Sequence, residues 1–205
     1  NKYYVINKYS KKYLHKESDL FFDWYLPLFL NKKKCLKIKI KVKKILSELY
    51  NKLNFPNSYF VHRDYHLQNL MKIGPKIGVI DSQDALIGNP AYDLASLIDD
   101  VRIKTTKKLK EQIYNYYLKK NFALKKINSR KFLEDFKILS IQRNLKIIGI
   151  FSRLYKRDKK SQYLKFIPYT WQLLEMRMNE EIFLELKRTL NKHISKKIRN
   201  KIISK

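Results

Sequence analysis

The sequence predicts an α+β fold that is mostly α, with several helices gathered around a small β-hairpin. Three observations carry this. Apolar residues recur at helical spacing through most of the chain. Two short apolar runs, residues 70–73 and 77–80, flank Gly74-Pro75-Lys76, which is a hairpin signal. Finally, 205 residues with 44% apolar and 14% aromatic side chains can build a sizeable core, and only four Gly and five Pro exclude collagen-like and low-complexity classes.

Along the chain, residues 1–16 are polar and aromatic without a clear period and read as a lead-in. Ser18 can cap a helix starting at Asp19, and Leu20, Phe21, Trp24, Tyr25 and Leu28 continue it until Pro27 forces a kink or an early stop. Residues 31–34 are a polar connector. Residues 36–42 alternate apolar with lysine, as a strand would, but Val42, Ile45, Leu46, Leu49 and Leu53 have helical spacing. A run of that length without Gly or Pro reads as one helix ending by Pro56. Tyr59-Phe60-Val61 is a strand. After the hairpin, residues 82–89 read as a loop, and Asn89-Pro90 opens a helix to about Arg102. Helices follow over 105–121, Ser129–Lys156, 169–178 (opened by Pro168) and 180–190. The tail from Lys192 is basic and expected to fray. The domain body is placed at 14–191, with a lead-in at 1–13 and a tail at 192–205.

The chain carries 46 basic and 18 acidic residues, a net charge of +28. Such an excess points to a polyanionic partner. Yet 37 of the bases are lysine and nine arginine, and they are spread along the chain. A general drift toward Lys, Asn and Ile explains this without nucleic acid, which stays as the rival partner. The single cysteine, Cys35, excludes a disulfide framework and multi-cysteine metal sites and suggests a reducing, cytoplasmic setting. No apolar run approaches the roughly 18 residues that span a bilayer, so no membrane partner is expected.

The chemistry is concentrated in His62-Arg63-Asp64-Tyr65-His66-Leu67-Gln68-Asn69, followed beyond the hairpin by Val79-Ile80-Asp81. A carboxylate, an amide five residues on and a second carboxylate after a hairpin form the pattern of phosphoryl transfer from ATP. Asp64 would accept the proton of the attacking hydroxyl. Asn69 and Asp81 would hold Mg²⁺, which favours hard oxygens and takes few protein ligands. The hairpin turns the chain back so that Asp81 can face Asn69. His62 reads as a hydrogen-bonding support beneath the loop, whereas His15 and His193 read as surface residues. Each of the three key side chains also has a plain structural reading, as a turn cap or strand end. Their joint spacing weakens that reading more than any one residue does.

Residues 62–69, with the stretch 79–95 that ends in Asn89-Pro90-Ala91-Tyr92-Asp93-Leu94-Ala95, resemble the aminoglycoside phosphotransferase family, which shares the protein-kinase-like fold. Residues 19–27 and 142–151 extend the likeness toward its branch of sugar kinases acting on the anomeric hydroxyl of N-acetylmuramate or N-acetylglucosamine, enzymes of peptidoglycan sugar recycling. The resemblance implies a C-terminal kinase lobe using ATP and Mg²⁺ on a small sugar. It makes Asp93 the buried carboxylate that braces the catalytic loop. Asp84 would support the metal or the sugar, and Arg143 would pair with a substrate carboxylate or with Asp84. Ser82 departs from the aromatic residue usual after the second metal aspartate. No glycine precedes Gly74, so the phosphate-covering loop and its lysine would belong to an N-terminal lobe missing here, and this chain alone would be inactive. Aminoglycoside or choline-like acceptors, a basic nucleic-acid module and a degenerate lobe are the competing readings.

Overall fold

The computed structural model describes residues 5–121 and 129–201. Parts of the expected lead-in (1–4) and tail (202–205) lie outside the described residues. The described residues are mostly helical, with two small antiparallel sheets. In chain order come α1 (Lys11–Leu20), a π-turn (Phe21–Tyr25), a 3-10 turn (Leu26–Leu28), α2 (Lys32–Asn51), β1 (Tyr59–Val61), β2 (Leu70–Ile73), β3 (Lys76–Val79), β4 (Leu86–Gly88), α3 (Ala91–Ile98), α4 (Lys107–Lys120), α5 (Ser129–Lys156), α6 (Ile167–Arg177), α7 (Leu184–His193) and α8 (Lys196–Arg199). Contacts divide the chain into two units: Asn1–Ser10 with Leu53–Leu139, and Lys11–Lys52 with Ser140–Lys205.

The first unit holds both sheets. β2 and β3 pair in the register Leu70↔Val79 to Ile73↔Lys76, closed by Gly74 at φ 56°, a left-handed conformation that glycine adopts without a Cβ clash. The expected loop over 82–89 is corrected: it contains β4, which pairs antiparallel with β1 from Tyr59↔Gly88 to Val61↔Leu86. Leu-Ile-Gly is too short to carry a period, and its partner strand lies far back in the sequence. The lead-in also pairs here. Tyr9 N–H donates to the Ile87 carbonyl at 2.7 Å, and Ile87 N–H donates to that of Asn7 at 2.9 Å. Tyr9 is buried, edge-on to Tyr92 at 5.0 Å, and a Cβ on Gly88 would come within 3.1 Å of the Tyr9 Cβ. α3 opens with the Asn89 side chain accepting the Ala91 N–H at 3.0 Å. It stops at Ile98 rather than near Arg102, because the Asp100 carboxylate turns the chain by accepting the Arg102 N–H at 3.0 Å. Thr106 caps α4, accepting the Leu109 N–H at 3.1 Å. Asp135, on α5 and fully buried, accepts the N–H groups of Asn54 (2.8 Å) and Phe55 (2.9 Å) and the Asn89 amide (2.6 Å).

The second unit is held by close helix packing. α1 begins at Lys11, well before Asp19, so Ser18 is not its cap. It is buried mid-helix, its hydroxyl donating to the His15 carbonyl at 3.1 Å. The helix then widens into the π-turn and stops through Pro27, the early end that proline dictates. Gly149 of α5 explains the tight fit here, since a Cβ would meet the Leu20 carbonyl carbon and lie 2.5 Å from the Phe21 nitrogen. α2 resolves the strand–helix ambiguity as a helix. Ile38, Val42, Ile45, Leu46 and Leu49 are buried, whereas Leu36 and Ile40 of the alternating stretch are 58% and 65% exposed. The Asn31 side chain caps α2 through the Lys34 N–H at 3.0 Å. His15 is not a free surface residue: its Nε2 lies 3.0 Å from the Ser47 hydroxyl, and its ring meets Tyr50 edge-on. His193 is half-buried. The expected fraying is also corrected as far as residue 201. Ser195 caps α8, and Arg199 is buried over the Trp171 ring at 4.7 Å, with its guanidinium paired to Glu175. The Tyr25 hydroxyl accepts the Trp171 indole N–H at 3.0 Å, and burial holds the Tyr25 phenol well above its ordinary pKa. No helix among the described residues is long and apolar enough to cross a membrane.

Candidate functional site

The segment between β1 and β2 has little regular structure, only a 3-10 turn at Leu67–Asn69, so its backbone must be held by partners outside itself. Asp93, in the first turn of α3, supplies the first grip. Its two carboxylate oxygens accept the N–H groups of His62 at 2.7 Å and Arg63 at 3.0 Å. Arg63 sits at φ 73°, a conformation that non-glycine residues seldom adopt and that costs about 1–3 kcal/mol. The bonds to Asp93 offset that cost. The Arg63 guanidinium lies over the Tyr9 ring and donates to the Asp84 carbonyl at 2.8 Å, linking the loop to the segment before β4.

The buried His62 ring supports the loop from below, with Nε2 2.9 Å from the Ile80 carbonyl and therefore donating to it. Ile80 N–H in turn donates to the Asn69 carbonyl at 3.0 Å, which extends the hairpin ladder into the site. The Asn69 amide nitrogen donates to the Asp64 carbonyl at 2.9 Å and lies 3.4 Å from Asp81 Oδ2. Asp81 leaves the ladder at φ 70°, a second left-handed residue, and Gln83 donates to its Oδ1 at 2.5 Å.

Within the first unit, the side chains of His62, Asn69, Asp81 and Asp93 thus form one hydrogen-bonded group, which Asp64 joins through its backbone carbonyl. The Asp84 side chain is exposed, and only its backbone carbonyl joins the loop. Arg143 belongs to the second unit, buried in α5.

Sequence reasoning missed two participants. Gln83, beside the atypical Ser82, braces Asp81 where an aromatic ring was expected to pack. Asp100, 2% exposed, accepts the Leu67 N–H through Oδ2 at 3.2 Å. Its partner lies 33 residues away, so no local pattern in the sequence marks it.

The donor chemistry fits a hard divalent cation. With its nitrogen committed to Asp64 and Asp81, the Asn69 amide keeps its oxygen as an acceptor, and with the Asp81 carboxylate it makes the kind of sparse oxygen set that Mg²⁺ accepts while keeping waters. No three His, Cys, Asp or Glu side chains converge as metal ligands among the described residues. A cavity of about 540 Å³ also opens in this unit, lined by Tyr59, Phe60, Tyr65, Asp93, Tyr116 and Tyr117 among others.

Comparison with known proteins points the same way. The phosphotransferase enzyme family matches residues 18–128, just over half of the chain. An N-acetylmuramate/N-acetylglucosamine kinase of Pseudomonas aeruginosa is 35% identical over 175 residues, covering 83% of this chain and 52% of that protein. Its namesake in Neisseria meningitidis is 32% identical over 167 residues (80% and 50%), and that of Caulobacter vibrioides 31% over 140 residues (66% and 38%). The chain therefore spans about half the length of the curated relatives it matches, or less.

Proposed function

We propose that this chain, which belongs to the phosphotransferase enzyme family, carries the base and metal side of an ATP-dependent sugar kinase with a protein-kinase-like C-terminal lobe. The observation that supports this most directly is the approach of Asn69 to Asp81 across the hairpin, with the same amide holding the backbone of Asp64. In this reading, Asp64 accepts the proton of the acceptor hydroxyl as its oxygen attacks the terminal phosphorus of ATP, the bond from that phosphorus to the bridging oxygen breaks, and ADP leaves. Asn69 and Asp81 hold Mg²⁺, which when bound neutralises charge on the phosphates. The Asp93 grip and the His62 support keep the loop in one geometry before substrate arrives. Such preorganisation matters because positioning and electrostatics make up most of the catalysis in phosphoryl transfer.

The acceptor is the anomeric hydroxyl of N-acetylmuramate or N-acetylglucosamine. Three relatives bearing that name support it, as does the chain's charge of +28, which attracts the acidic muramate more readily than a polycationic aminoglycoside.

The test is the Asp64→Asn variant in the full-length protein, assayed with ATP, Mg²⁺ and a panel of both amino sugars, an aminoglycoside and choline. The expected result is transfer to the amino sugars in the parent protein, and a loss of about 1,000-fold or more in the folded variant, the size expected for removing a positioned base together with its electrostatic role. Turnover in Asp64→Asn near that of the parent would remove Asp64 as base. Transfer only to an aminoglycoside or choline would move the acceptor assignment.

A further inference from the structure

Asp93 is not the only carboxylate near α3 that holds the loop. It lies in the first turn of the helix, and Asp100 lies two residues beyond its last turn. Asp93 takes the N–H groups of His62 and Arg63, at the start of the loop. Asp100 takes the N–H of Leu67, at its far end, and with its other oxygen the N–H of Arg102. Its charge is balanced by the Arg102 guanidinium at 3.8 Å. A gripping carboxylate therefore stands at the start of one short helix and another just past its end, and Asp64 sits between the two points they hold.

The second grip also bears on the metal-side residue. Leu67–Asn69 is a single 3-10 turn closed by Asn69 N–H to the His66 carbonyl at 2.9 Å and by Leu70 N–H to the Leu67 carbonyl, and entered by His66 N–H donating to the Asp64 carbonyl at 2.9 Å. A turn that short has almost no stability of its own. Holding Leu67 at its start sets where the Asn69 side chain emerges. Asp100 is 2% exposed, and burying a carboxylate is costly unless several donors satisfy it. The donors here are backbone N–H groups, so the contact specifies chain position rather than side-chain packing.

We infer that Asp100 is a positioning residue for phosphoryl transfer, a second clamp that fixes the distal end of the 62–69 loop and so the relative placement of Asp64 and Asn69. The inference rests on the proposed function for its kinetic consequence, but the clamp itself is a structural claim that can be read without turnover.

The experiment compares Asp100→Ala and Asp100→Asn with the parent full-length protein by amide hydrogen exchange over residues 62–69 and by steady-state kinetics with ATP and the amino sugar. In Asp100→Ala, protection at Leu67 to Asn69 is expected to fall about tenfold, the worth of a lost backbone hydrogen bond, while the core of α5 keeps its protection. kcat is expected to fall about 10- to 100-fold, because the reacting groups lose alignment, with KM for the sugar within about twofold. Asp100→Asn retains one oxygen able to accept from Leu67 and is expected to recover most of both losses, and it stands in if the alanine variant does not fold. Unchanged loop protection with unchanged kcat in Asp100→Ala would overturn the clamp. So would loss of protection spread evenly over the molecule in both variants, since that is a general stability role. If the parent protein transfers no phosphoryl group, the proposed function fails, and the exchange measurement still decides whether Asp100 holds the loop.

Discussion

The two units of this chain achieve order by different physics. In the first, irregular backbone is held by carboxylates that accept peptide N–H groups: half-buried Asp93 grips His62 and Arg63, and buried Asp100 and Asp135 grip Leu67 and the pair Asn54 and Phe55. In the second, helices approach so closely that shape decides. Gly149 leaves room for the backbone of Leu20 and Phe21, and Phe21, Tyr25 and Trp171 fill the adjoining space ring against ring. Loops cannot bury an apolar stripe and need directional acceptors. Helices satisfy their own backbone and need only complementary volume. The contrast implies that the first unit is sensitive to chemistry at constant volume and the second to volume at constant chemistry.

The sharpest break of that contrast comes from Asp135. Asp135→Ala leaves two backbone N–H groups and the Asn89 amide without their acceptor in a buried site and is expected to cost about 4 kcal/mol, with Asp135→Asn also clearly destabilising despite its equal size. Denaturant melts of both variants measure this, and an Asp135→Asn protein as stable as its parent would show that volume suffices there too. Gly149→Ala adds one methyl group and no polarity. Its expected cost is about 3 kcal/mol, at the upper end for overpacking, because the obstructing atoms are helix backbone rather than a side chain able to swing away. An unchanged melting temperature would mean that α1 and α5 can separate freely, against the steric account.

The smallest effect concerns His15 in the second unit. Burial, reinforced by the nearby Lys43 charge, lowers its pKa below the ordinary 6.5. The unfolded chain then binds the proton more readily than the folded one, so stability declines as pH drops below about 6.5, until the folded histidine is protonated as well. His15→Gln is expected to flatten that part of a stability–pH curve without altering its alkaline side. An identical slope in the variant would assign the acid sensitivity elsewhere.

How legible this was from sequence depended on how far apart the interacting residues lie. Ser129–Lys156 was expected at those bounds because its apolar period is long and uninterrupted. The hairpin was expected because Gly74-Pro75 is turn chemistry confined to neighbouring residues. The meeting of His62, Asp64, Asn69 and Asp81 was readable because all four lie within one hairpin's reach along the chain. β4, the docking of Tyr9, the roles of Asp100 and Asp135, and the burial of Arg199 were not. Each depends on a partner tens of residues away, and a three-residue strand or a lone acidic residue carries no local sign of it.

Local periodicity and turn residues were therefore sufficient to specify most of the helices, the hairpin and the order of the acidic and amide groups along the loop, because these follow from interactions between near neighbours. Which peptide N–H each of these carboxylates would accept emerged only once the chain was folded. Those bonds join segments whose proximity is created by the packing itself, and no short stretch of residues encodes them.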